Sequence, residues 1–145
     1  MRSRIITFKG ILNDGEQQTL RMGTHNGKVG YRIIKFQGMA RRPYAESSEH
    51  ILKIYKYEQD TVDGLVNFDD QTLIGASIIN NHSSGYSDPS VPTIIVDHVK
   101  VNQDLFITHS DIQATEDCNY YIELEQFSLS TDEAAVATLK DMRGS

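Results

Sequence analysis

Short stretches in which apolar and polar residues alternate recur from Arg4 to Leu129. A period of two is the signature of a half-buried β-strand, because successive side chains leave a pleated backbone on opposite faces. Gly, Asn, Asp and Pro stand between these stretches and supply the backbone conformations of turns. Only beyond Leu129 does the period become helical. The pattern predicts an all-β shell closed by one short helix.

The chain of 145 residues is expected to fold as one domain spanning residues 1–145, since a length of this order buries roughly 68% of its unfolded surface around a single core. With 39% hydrophobic and 23% charged residues, it is too apolar for intrinsic disorder. Arg4 to Asn13 and Glu16 to Met22 flank Asn13-Asp14-Gly15 and are expected to form a hairpin. Val29 to Met39 follows the His25-Asn26-Gly27 turn and completes a three-stranded meander. Ile51 to Tyr57 is the fourth strand and Leu73 to Asn80 the fifth. The acidic stretch Glu58 to Thr72 between them is expected to connect two sheets. Asn81 to Pro92 reads as an exposed loop. Thr93 to Val101 and Leu105 to Ser110 are expected to pair across Asn102-Gln103-Asp104. Cys118 to Leu129 closes the set, with a slip of phase near Glu125-Gln126 that predicts a β-bulge or a change of sheet. About eight strands with several long connections fit a jelly-roll-like antiparallel β-sandwich over residues 1–129.

Ser130-Thr131-Asp132-Glu133 is a capping box at the head of the helix expected over residues 130–142. Ala135, Leu139 and Met142 recur along one face, with Val136 beside them. A helix this short is marginal alone and needs a surface to cover; these four side chains are expected to close the end of their own sandwich or to form the interface with a neighbouring subunit.

A formal net charge of -6 argues against nucleic-acid partners, which require clustered cations to displace phosphate counterions. No apolar run approaches the roughly 20 residues of a membrane-spanning helix. The single Cys118 cannot form an internal disulfide and reads as a buried, inert thiol in a reducing compartment. The five histidines lack the close spacing of common metal sites, and the nearest candidate pair is His98 with His109. Asp69 and Asp70 read as solvated charges or a weak calcium site. No nucleophile elbow, phosphate loop or dinucleotide fingerprint occurs. No enzymatic activity, no cofactor and no metal are expected. A carbohydrate-binding sandwich is the rival reading, with Tyr86 in the Ser-rich loop as its ligand contact and Tyr44, Tyr55 and Tyr57 as further aromatics, although the chain has no Trp for stacking on sugars.

The runs Lys28-Val29-Gly30-Tyr31-Arg32-Ile33-Ile34-Lys35-Phe36 and Cys118-Asn119-Tyr120-Tyr121-Ile122-Glu123-Leu124-Glu125, followed by Ala135-Val136-Ala137-Thr138-Leu139-Lys140-Asp141, resemble small virion proteins of marine bacteriophages. Ile78-Ile79-Asn80-Asn81 and Ile107-Thr108-His109-Ser110-Asp111 extend the similarity over most of the chain. The resemblance implies a capsid-associated structural protein with a jelly-roll-like fold, assembled in the bacterial cytoplasm into the virion as a homo-oligomer or among other capsid subunits. A minor capsid or decoration protein fits it best, with a major capsid jelly roll or a tail or spike component as alternatives. It transfers no catalytic or ligand residue.

Overall fold

The computed structural model describes residues 4–22, 29–42, 48–81, 93–96 and 101–128. Eight strands follow in chain order: β1 (Arg4–Leu12), β2 (Gln17–Leu20), β3 (Val29–Ala40), β4 (Ser48–Tyr55), β5 (Leu73–Asn81), β6 (Thr93–Ile95), β7 (Leu105–Asp111) and β8 (Cys118–Ser128). They form a three-stranded sheet in the order β1-β8-β3 and a five-stranded sheet in the order β2-β7-β4-β5-β6. Every ladder is antiparallel. The expected all-β sandwich is therefore present, and the helix expected over 130–142 lies outside the described residues.

Each strand lines the interior with alternate residues. Leu12, Ile33, Phe36, Ile122 and Leu124 from one sheet meet Leu20, Leu52, Ile54, Ile74, Leu105 and Ile107 from the other, all buried. Burying such a side chain fully is worth about 1.5–3 kcal/mol, so this two-layer interior carries most of the stability. The chain is shared between layers at its turns. Gly15 has φ 81°, the left-handed conformation that the Asp-Gly pair anticipates, and its N–H donates to the His109 carbonyl at 2.9 Å.

The strands pair differently from the expected hairpins. β1 and β2 meet at the predicted turn but separate into different sheets, β1 along β8 and β2 along β7. A corner replaces the hairpin, because each strand buries its own apolar face in a different layer. β3 likewise joins β8 and not β2, so there is no meander. β6 pairs with β5 and β7 with β4 and β2, which removes the expected pairing across Asn102-Gln103-Asp104. The stretch from Glu58 to Thr72 joins β4 and β5, neighbours within one sheet, and so does not connect two sheets. The predicted phase slip exists one strand away. β8 runs in continuous register with β1, whereas the register of β3 against β8 shifts between Ile33 and Lys35. Ile34 and Lys35 are consecutive exposed residues, and the buried phase resumes at Phe36.

On the inner face of the small sheet Tyr120 stands opposite Gly10 on one side and Gly38 on the other. Its ring fills the space that Gly10 leaves, while the space at Gly38 is taken by Leu52 and Ile79. A Cβ on Gly10 would fall 2.8–3.0 Å from the Tyr120 hydroxyl and ring, and the hydroxyl is held by a hydrogen bond to Gln18 Oε1 at 2.5 Å. Gly10→Ala should therefore cost about 1–3 kcal/mol by overpacking, read as a lower urea midpoint. An unchanged midpoint would mean that the ring moves freely.

Candidate functional site

Three chemically competent side chains gather at one end of the core. His50 lies on β4, His109 on the adjacent β7 and Cys118 at the start of β8 in the facing sheet. All three have no exposed surface. Their positions follow from strand phase. Ser48, His50, Leu52 and Ile54 share the core face of β4, while Leu105, Ile107, His109 and Asp111 are the buried alternates of β7. Cys118 heads the buried series that continues with Tyr120, Ile122 and Leu124.

The histidines are linked directly. His50 Nδ1 lies 2.8 Å from His109 Nε2, His50 Nε2 lies 2.9 Å from Ser48 Oγ, and His109 Nδ1 lies 3.0 Å from the Asn13 carbonyl. A carbonyl only accepts, so neutral His109 carries its proton on Nδ1 and accepts at Nε2. His50 must then donate from Nδ1 and accept at Nε2 from the Ser48 hydroxyl. One directional chain results, Ser48 to His50 to His109 to Asn13, with every ring nitrogen partnered. Burial, and then repulsion from His109, lowers the pKa of His50 to about 4 against the opposing pull of Asp111, Asp14 and Asp117. His50 is thus neutral at pH 7. Burial also pushes the Cys118 thiol up to about 12, and its S–H donates to the Met39 carbonyl. While it stays protonated this thiol is a poor nucleophile, and its burial is as the sequence leads one to expect.

Asp111 closes this end of the sandwich. Its carboxylate accepts from the backbone N–H groups of Glu49, Gln113, Ala114 and Glu116 at 3.0–3.1 Å, and its own N–H donates to Asp14 Oδ1 at 2.8 Å. Burial opposes the charge, but the four donors outweigh it and hold the carboxyl below its ordinary value.

The outer surfaces offer different chemistry. On the small sheet Glu123 and Glu125 of β8 face Lys35 and Arg32 of β3, with Arg32 Nε 2.7 Å from Glu125 Oε1. The outer face of β4 is covered by the Glu58 to Thr72 connection. The buried Lys53 donates from Nζ to Asp63 Oδ1 at 3.0 Å and to the Leu65 carbonyl, and Gln17 and Gln59 exchange hydrogen bonds through Gln17 Oε1 and Nε2. So anchored, the connection presents Leu65 at 74% and Phe68 at 66% exposure, with Val66 between them at 37%. Asp70 Oδ1 accepts from both the N–H and the hydroxyl of Thr72, so it shapes a turn. An open groove of about 440 Å³ is lined by Gln37, Met39, Asn80, Thr93, Asn119 and Tyr121 among others.

The sequence-predicted candidates distribute unevenly over this structure. Tyr86, Tyr44, Ala135, Val136, Leu139 and Met142 lie outside the described residues, as does His98, the expected partner of His109. Tyr55 is buried beneath Lys53, whose Nζ lies 5.5 Å from its ring centroid. The partner that His109 does have, His50, was not apparent from spacing, because the two are 59 residues apart. A signal existed in the strand phase: each histidine occupies an apolar alternate, where an unpartnered imidazole would be costly. No described helix is long and apolar enough to cross a membrane. No protein family, curated protein or solved structure matches the chain.

Proposed function

We propose that this chain is a structural protein of a bacteriophage particle, a minor capsid or decoration subunit that works through contacts with other subunits. The observation that carries the reading is the nesting of the strands. β1 pairs with β8, β2 with β7 and β4 with β5, as if a hairpin of four strand pairs had been rolled up. The remaining pair, β3 with β6, survives as the antiparallel bridge of Tyr31 to Val101, downstream of β6, while β6 itself pairs with β5. Apart from the place of β6, this nesting supports a jelly-roll-like reading, an architecture common to viral capsid and lectin domains. The resemblance read in the β3 and β8 sequences inclines us to the former.

The contact surface we assign is the Leu65-Val66-Phe68 cluster. Exposed apolar side chains this close together along an anchored loop are candidates for an association surface, and the occupant we assign is another copy of this chain. Light scattering and electron microscopy of the concentrated protein should show a defined oligomer. Leu65→Ser with Phe68→Ser should weaken association at least about tenfold while changing stability by no more than about 0.5 kcal/mol. A strictly monomeric wild type, together with absence from purified particles by quantitative mass spectrometry, would defeat the reading.

A further inference from the structure

We propose that His50, His109 and Cys118 form a binding site for a thiophilic first-row metal ion, zinc(II) or copper(I), that ties the two sheets together. Their candidate ligand atoms all lie within 4.8 Å of one another, and they come from three strands in two layers. Two imidazoles and one thiolate are the donor set such ions select. The proposal rests on this cluster alone and is independent of any role in a virion.

The surrounding groups suit a ligating arrangement. Bonds of about 2.0–2.1 Å to nitrogen and about 2.3 Å to sulfur require the two nitrogens to stand somewhat farther apart than their present 2.8 Å, and the sulfur to move inward. The Asn13 carbonyl already holds the proton of His109 on Nδ1, which leaves the Nε2 lone pair directed at the cluster. A metal-bound histidine ordinarily has such a partner on its other nitrogen. For His50 to ligate through Nδ1, its proton moves to Nε2, where Ser48 Oγ at 2.9 Å turns from donor to acceptor. The Cys118 thiol loses its proton to solvent as the metal–sulfur bond forms. Each ion bound therefore releases one proton, with no change of oxidation state.

The site is wholly buried, so metal is to be added both to the folded full-length protein and before refolding from urea. Cobalt(II), a spectroscopic probe for zinc, should give a sulfur-to-cobalt charge-transfer band at one equivalent, and zinc should raise the melting temperature. Copper(I), added anaerobically against a chromophoric chelator, distinguishes the two ions: capture of copper without cobalt assigns the site to copper, the reverse to zinc. Cys118→Ser preserves the core volume and should abolish the cobalt band and weaken binding on the order of 100-fold. Ser48→Ala should weaken it about tenfold. Binding of either ion with this dependence on Cys118 supports the site. Absence of binding by both routes, or equal binding by Cys118→Ser, overturns it.

Discussion

Replacing Asp111 with Ala is expected to destabilise the protein by roughly 3–5 kcal/mol, a large share of the 5–15 kcal/mol typical of a domain. The residue is 5% exposed, and its two oxygens accept four backbone N–H groups drawn from β4 and from the turn between β7 and β8. Alanine leaves those part-buried donors without their acceptor, and each costs about 1–3 kcal/mol where water cannot reach it. Asp111→Asn should fall between the two, because one oxygen remains to accept. Urea denaturation of the three proteins measures this directly. A loss below about 1 kcal/mol for Asp111→Ala would mean that water replaces the carboxylate.

The metal-free protein should lose stability as the pH falls from about 6.5 towards 4, by on the order of 3 kcal/mol through His50 alone. The sign follows from linkage. His50 has a folded pKa of about 4 against an ordinary value of 6.5, so the unfolded chain takes up a proton in that window while the folded chain refuses it. The contribution is complete above the unfolded value and is lost as the pH falls through the folded one. Asp111, also held below its ordinary value, adds a loss of the same sign at more acidic pH. Unfolding free energy measured across the range should show a slope approaching one proton that His50→Gln flattens. Equal slopes in wild type and variant would show that His50 is protonated in the folded state.

Much of the architecture was legible because burial writes itself into a period of two. Seven of the eight strands lie where alternation predicts, within a few residues at their ends, and Gly15 occupies the conformation its Asp-Gly turn demands. Pairing was not legible. Nothing in Arg4 to Leu20 distinguishes a hairpin from a corner, since both need the same turn and the same alternation; the choice depends on whether β7 and β8 offer better partners a hundred residues later. The bulge shows the same limit. The slip near Glu125 was read on β8, yet the extra residue is accommodated by β3, its partner, at Ile34. The His50 and His109 pair lay hidden for a related reason, since spacing within one element says nothing about neighbours across a ladder. What the sequence did carry was their phase.

Among the described residues the small sheet depends on β8 for every one of its ladders: β1 and β3 have no other strand partner there. About a hundred residues must emerge from the ribosome after β1 before its hydrogen-bonding partner exists. During synthesis the earliest-made strand therefore waits with its ladder groups unpaired and its core-facing Ile6, Phe8 and Leu12 uncovered. The small sheet can be completed only once that final strand is delivered, and until then the unpaired edge of β1 is open to mispairing with another chain.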